Sequence, residues 1–439
     1  MKNTLDDWLR WQETLHSSEI DLGLDRIRQV ATRLELLSPS FPIITVAGTN
    51  GKGSSVAMLD AIYRAQGFNT GNYTSPHLID YNERIKLAGK NASDQIIIDA
   101  FQQIDQARAG ISLSYFEFGT LAAMLIFHQK NVDVAILEVG LGGRLDAANL
   151  WDASLALITS IDIDHIDWLG DDREKIAIEK SGIMRKEIPV ISGDPEPPNS
   201  IKTEANRIGA SLLQFNQDFF YKKLNNSTLE LASEKEKREG REIKENEWLW
   251  ENKNKKYQLP FPSLAGEFQL NNASTVIAGI ESLQATLKVS HNAIKQGLID
   301  ASAAGRLQIL RQSPEWLVDV AHNPHAAKEL AKHLKKHPVA GKTYALFSML
   351  KDKDISQVVT ILNPYIDEWH IIELEGSRGL AIDELKLYIN DLQLSGSVFP
   401  YENIAEACRV LKNISKLKDR VVAFGSFLVV SAVTNNCNL

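Results

Sequence analysis

From about residue 41 onward, short apolar runs alternate with segments of helical period. The run "FPIITVA" (41–47) ends in a glycine turn. The segment after it, "SSVAMLDAIYRAQG", puts Val56, Leu59, Ile62 and Tyr63 on one helical face, with Gly67 as C-cap. "TGNYTS", "VDVAILEV", "SLALITSI" and "IPVIS" follow, with helical pattern between them. "VDVAILEV" is almost continuously apolar, as a strand covered on both faces requires. This alternation predicts an α/β fold on an open parallel sheet. A second α/β series follows "AAGRLQIL": "EWLVDV", a helix with Asn323 as N-cap and Pro324 at its first position, "TYALFSM", "EWHIIEL" and "RVVAFGSF". The boundary falls near residues 300–306, dividing the chain into 1–300 and 301–439. Residues 234–256 are charge-dense and read as a solvated hairpin or loop insertion with no catalytic role.

Composition adds limits. A chain of 439 residues exceeds one ordinary core, consistent with two domains. The net charge of −8 argues against a surface for nucleic acid, so an anionic substrate must be held by local cations. Cys408 and Cys437 show neither metal spacing nor a disulfide framework, which points to a reducing compartment. With no signal-peptide core and no apolar run of membrane-spanning length, the expectation is a soluble cytoplasmic protein.

The turn in "ITVAGTNGKGSS" carries the first chemistry. A strand, a glycine turn and a helix N-terminus make an anion site. Lys52 can reach terminal phosphates, and Ser54 or Ser55 can face Mg²⁺. The turn departs from the standard phosphate-loop pattern, and a plain βα turn with a surface lysine is the alternative. Later strands also end in reactive residues: Ser75, Glu138 and His165. Carboxyl ends of strands converge in an open sheet, so these can share one crevice with Lys52. A carboxylate such as Glu138 at the end of an apolar strand needs a metal or an ion pair, for instance with Arg144. On spacing alone His165 is a structural histidine, and Lys180, Arg84 and Arg144 are surface cations. Both arginines nevertheless sit beside turns where an anion could be clamped.

In order along the chain stand "TVAGTNGKGSS", "TSPHLIDYNERI", "SYFEFGTLAA", "LEVGLGGRLDAAN", "DHIDWLG", "EKSGI", "GRLQI" and "DVAHNPHA". Together they resemble the folylpolyglutamate synthase/dihydrofolate synthase family of the Mur ligase superfamily, from about Glu19 to Phe427. The resemblance implies a P-loop-containing parallel-sheet ATPase domain and a smaller C-terminal Rossmann-like domain. It implies an ATP-dependent ligase that adds L-glutamate to dihydropteroate and to the tail of reduced folates. Thr49, Asn50, Gly51, Lys52, Gly53 and Ser54 would hold ATP, with Asn272, Arg306 and Asp319, and His322 close by. Ser75, Glu138 and His165 would bind Mg²⁺, reversing the spacing-based reading of His165. Lys180 matches a lysine carboxylated on its side chain. Pteroate would lie against Ser114, Tyr115, Phe116, Glu117, Leu145, Asp146 and Ala147, under a lid of Glu19, Ile20, Asp21 and Leu22; the plainer reading makes Tyr115 and Phe116 core. Lys52, Glu138, His165 and Lys180 are the residues implied for catalysis. Ala303-Ala304 departs from the Leu-Pro common in relatives. The expected protein is a monomer with no nucleic acid and no membrane partner. The alternatives are a folylpolyglutamate synthase alone, a peptidoglycan-type amino-acid ligase, or a P-loop nucleotide switch.

Overall fold

The structure is a computed structural model that describes residues 2–16, 18, 21–224, 247–374, 378–392, 394 and 396–437. Its first sheet contains β1 (Ile43–Ala47), β2 (Thr70–Tyr73), β3 (Ile85–Leu87), β4 (Lys90–Asn91), β5 (Val134–Glu138), β6 (Leu155–Ile158), β7 (Pro189–Ser192) and β8 (Ser211–Gln214). The order is β4-β3-β2-β5-β1-β6-β7-β8. Pairing is parallel from β2 through β8, and β3 and β4 add an antiparallel edge.

β1 and β5 are buried along their whole length, because both faces of the sheet are covered. Their side chains alternate between two cores. Ile43, Ala135 and Leu137 pack with the N-terminal helices and with the helices Asp94–Arg108 and Tyr115–Gln129. Ile44, Val46, Val134 and Ile136 face the helix Lys52–Gln66, backed by Phe268–Ser282 and His291–Asp300. The expected face of Val56, Leu59, Ile62 and Tyr63 is buried there, and Gly67 is the left-handed C-cap.

A three-stranded antiparallel sheet follows: β9 (Phe219–Lys223), β10 (Glu247–Asn252) and β11 (Lys256–Pro260). Here the reading of 234–256 as a solvated insertion is corrected from residue 247 onward; 234–246 lie outside the described residues. In "EWLWE" the strand's period of two puts Trp248 and Trp250 on one face, where both are fully buried. Trp250 donates its indole N–H to the Ser274 carbonyl, and Trp248 donates to that of Pro260.

The last sheet holds β12 (Gln308–Gln312), β13 (Glu315–Asp319), β14 (Thr343–Phe347), β15 (Glu368–Ile372), β16 (Ser397–Tyr401) and β17 (Arg420–Phe424). Its order is β12-β13-β17-β14-β15-β16, parallel except for the β12–β13 hairpin. Asn323 caps the helix Pro324–Lys336 as expected, accepting from the N–H of Ala326. Cys408 and Cys437 form a disulfide between the last two helices, a pairing the spacing did not suggest. No helix among the described residues is long and apolar enough to cross a membrane.

The phosphate-loop helix is held from behind by a close helix crossing. A Cβ on Gly297 would lie 2.4 Å from Ile62 Cα, so any side chain forces the two helices apart. Gly297→Ala is expected to destabilise the protein by about 1–3 kcal/mol, seen as a lower urea midpoint at unchanged slope.

Candidate active site

The chain steps from one side of β1 to the other between β5 and β6, so a crevice opens at the carboxyl ends of these strands. The glycine turn after β1 lies in it. Gly48, at φ +147°, passes so close to Thr159 that a Cβ would overlap its hydroxyl. The turn is pinned to the segment after β6: Thr49 N–H donates to Ser160 O at 2.7 Å, and the Thr159 hydroxyl donates to Asn50 O at 2.7 Å. Gly51, at φ +90°, is the N-cap of the helix that begins with Lys52.

Lys52 Nζ donates to the carbonyls of Gly48 and Thr49, each at 3.1 Å. Lys180 Nζ donates to the same Gly48 carbonyl at 2.8 Å. Two lysine Nζ atoms therefore converge on one oxygen in a buried place. Lys180 is no surface lysine, contrary to its spacing: it is 5% exposed. Its helix packs on Gly143, where a Cβ would touch the backbone of Glu179 and Lys180. Burial, then the charge of Lys52, pushes the Lys180 amine down to about 7. Burial also lowers Lys52.

Glu138 ends β5, 4% exposed, with no ion pair among the described residues. Burial raises its carboxyl; Lys52, Arg306 and the backbone N–H of Ser75 act against that without cancelling it. The alternative partner, Arg144, is turned away and pairs with Glu179 at 2.8 Å. His165 sits in the left-handed region at φ +53°, and burial pushes its imidazole down to about 4, so the ring is neutral with a lone pair to offer. Ser75, Glu138 and His165 all line one cavity. No group of three or more His, Cys, Asp or Glu among the described residues could hold a metal. A hydroxyl, an unpaired buried carboxylate and a neutral imidazole, beside a phosphate loop, form a donor set that fits a divalent cation completing its shell with phosphate and water.

The cavity has a volume of about 1100 Å³ and runs on to an aromatic end. Tyr115 and Phe116 are half-buried in its wall, so neither is plain core. Phe116 lies 5.6 Å from Tyr73 and directly over Gly140, where a Cβ would fall 2.8 Å from its ring. Ser114 and Glu117 form a capping box on this helix, the Ser114 N–H donating to Glu117 at 2.7 Å. Leu145, Asp146 and Ala147 face the same space. Burial raises Asp146 to about 6 although the N–H groups of Leu141 and Ala148 donate to it. Asp21 and Leu22 line the entrance, while Glu19 and Ile20 lie outside the described residues.

Thr49, Asn50, Gly51, Lys52 and Arg306 also line the cavity. Gly53, Ser54, Asn272 and Asp319 stand behind its wall. Ser54 accepts from Gln269. Asn272 fills the space a Cβ on Gly51 would take. Asp319 accepts from the N–H groups of Leu307 and Ala321, each at 2.8 Å, and so fixes the turn that carries Arg306.

Several cavity residues escaped the sequence reading. Asp164 pairs with Lys353, accepts from Asn323 and approaches His322 at 3.4 Å. Burial alone would raise Asp164, but His322, Lys353 and His165 outweigh it and hold its carboxyl far below the usual range. Asn50 is hydrogen-bonded to Asn323 and, at 2.8 Å, to His325. These contacts join the first sheet's crevice to the last sheet. Lys353 follows β14 in "MLKDKD", so the rule that pointed to Glu138 could have found it. His16 in the cavity wall, and Arg26 behind it, are both bound to Asp21 and had no such signal.

Comparison with known proteins agrees with this geometry. Residues 46–280 match the Mur ligase middle domain and residues 305–427 the Mur ligase glutamate ligase domain. A dihydrofolate synthase/folylpolyglutamate synthase from Escherichia coli is 40% identical, over 98% of this chain and 94% of its own. E. coli FolC in complex with DHPP and ADP superimposes with a TM-score of 0.88 at 39% identity, covering 98% of this chain and 97% of that one. A bifunctional folylpolyglutamate synthase/dihydrofolate synthase with Mn, AMPPNP and L-glutamate bound also gives 0.88 at 39% identity, covering 100% and 98%. The chain belongs to the dihydrofolate synthase/folylpolyglutamate synthase family of Mur ligases.

Proposed function

We propose that this chain is an ATP-dependent acid–amino-acid ligase that joins L-glutamate to dihydropteroate, giving dihydrofolate, and to the glutamate tail of tetrahydrofolates. The observation that carries the reading is the single cavity linking the phosphate loop and buried carboxylate at one end to the Phe116 wall at the other.

A carboxylate and an ammonium do not condense in water, so the acid must first become an acyl phosphate. In this reading Thr49, Asn50, Gly51 and Lys52 cradle the ATP phosphates, Gly53 and Ser54 begin the helix behind them, and Arg306 closes from the other side. Asn272 supports the loop, and Asp319 supports Arg306. Mg²⁺, held by Ser75, Glu138 and His165, supplies charge neutralisation at the phosphates when bound. Lys52 leaves the Gly48 and Thr49 carbonyls to meet the terminal phosphate. Phe116 stacks on the flat pterin, with Ser114, Tyr115, Glu117, Leu145, Asp146, Ala147, Asp21 and Leu22 around it, and Glu19 and Ile20 in the lid. Asp164, Lys353 and Asn50 bring residues 301–439 onto residues 1–300, which excludes water from the acyl phosphate. No protein nucleophile is needed; positioning and charge do the work.

Lys180 is the modified residue of this reading. An amine lowered to about 7 is in good part neutral at physiological pH. It can attack carbon dioxide, form a C–N bond and release a proton, leaving a carbamate anion beside the loop. The protein acts as a cytoplasmic monomer without nucleic acid or membrane.

ADP release should require both dihydropteroate and glutamate, and tetrahydrofolate should replace dihydropteroate; ATP hydrolysis that ignores both acids would defeat the proposal. Lys52→Ala and Glu138→Ala should each lower turnover by more than about a hundredfold with unchanged circular dichroism. For Lys180 the sign of the pH dependence is set by a folded value of about 7 against an ordinary 10.5. Across that window the unfolded chain binds more protons, so stability rises with pH; below it the contribution is a constant penalty. In carbon dioxide-free buffer, urea midpoints should favour wild type over Lys180→Met more at about pH 9 than at about pH 7. A constant difference would remove the low-pKa amine.

A further inference from the structure

Arg84 lines the cavity with no carboxylate partner among the described residues. The adjacent Glu83 does not neutralise it, because its oxygens accept the N–H groups of Leu78, Ile79 and Asp80 at 2.8–2.9 Å. The guanidinium is instead held by neutral groups. Its carbon lies 5.4 Å from the ring centre of Tyr81 and 5.3 Å from that of Tyr115. Its Nε donates to Nδ1 of His77 at 2.8 Å. Arginine stays protonated in proteins and its Nε therefore donates, so Nδ1 of His77 must carry the lone pair and its ring proton must sit on Nε2. His77 also packs edge-on against Tyr81, with centroids 5.9 Å apart. The guanidinium is thus fixed by two rings and one hydrogen bond, which leaves Nη1 and Nη2 without a hydrogen-bond partner among the described residues.

We propose that His77 is a positioning residue for acid activation. It fixes Arg84 through Nε so that Nη1 and Nη2 present a two-pronged donor face to the substrate carboxylate and to the acyl phosphate it becomes. His77 acts only as an acceptor and takes no proton from substrate. The proposal rests on the cavity being the ligase site.

Steady-state kinetics of four variants test it. His77→Phe keeps a ring against Tyr81 and removes the acceptor; it should raise KM for dihydropteroate about tenfold while KM for ATP stays within about twofold. His77→Asn offers an oxygen near the place of Nδ1 and should return KM to within about threefold of wild type. Arg84→Lys, which has no Nε–H, should itself impair use of dihydropteroate. Adding His77→Phe to Arg84→Lys should then cost nothing further. The proposal is overturned if His77→Phe is silent, if His77→Asn is no better than His77→Phe, if KM for ATP rises equally, or if His77→Phe costs as much in the Arg84→Lys background. An Arg84→Lys enzyme with wild-type kinetics would instead remove Arg84 from the site, and the underlying reading of this wall with it.

Discussion

Unbalanced positive charge in a buried place is the constraint on which this structure turns. Lys52, Lys180, Arg84 and Arg306 line one cavity, and none has a carboxylate partner within ion-pair distance among the described residues. Facing them is Glu138, also unpaired. Isolated, each group would carry a large desolvation cost, and the lowered Lys52 and Lys180 and raised Glu138 record it. Such an arrangement costs stability in the empty protein. On the proposed function it would become favourable when a triphosphate brings the missing negative charge and a divalent ion reaches Glu138. The site is prepared for its ligands at the expense of the unliganded fold.

The same logic explains why two sheets must meet here. Arg306 belongs to the turn before β12, yet it reaches the helix N-terminus at Gly53, where a Cβ would be 3.3 Å from its guanidinium and 3.7 Å from Glu138. The Asp164–Lys353 pair is the reverse case: two charges from different sheets that neutralise each other, both nearly buried. Asn50 joins them through Asn323 and His325. Thus the phosphate loop itself feels the position of the second unit. On the proposed function, a shift of that unit would move Arg306 and the Asn50 side chain together and so couple nucleotide binding to exclusion of water.

What the sequence disclosed follows from which forces act locally. Most of the strands named from the sequence are readable because apolar runs are what burial on both faces requires, and Gly67 and Asn323 act on the helix ends beside them. Ser75, Glu138 and His165 are readable as a set because strand ends converge in any open sheet. Trp248 and Trp250 were hidden by the charges around them, although their period of two was present. Lys180 could not be placed from its helix alone, since its burial depends on Gly143, far away in sequence. The fate of Arg84 and Arg144, alike as neighbours of turns, was decided by Glu179 pairing with one and His77 with the other. The cysteine pair depends likewise on how two distant helices meet.

A chain of net charge −8 that is to hold anionic ligands, as proposed, needs its cations concentrated, and the fold shows how this can be done with most exposed cations paired. Many exposed cations are neutralised in place: Arg207 by Glu204, Lys332 by Glu329, Lys342 by Glu368. Those pairs add little to stability. The unpaired cations are kept where low polarity strengthens each contact, and on the proposed function the cavity would admit only what also fits against Phe116. Selectivity therefore comes less from the number of charges than from their placement. On the proposed function, a phosphate without the flat ring would satisfy one end of the cavity and leave the other wet, whereas the complete substrate set would satisfy both ends.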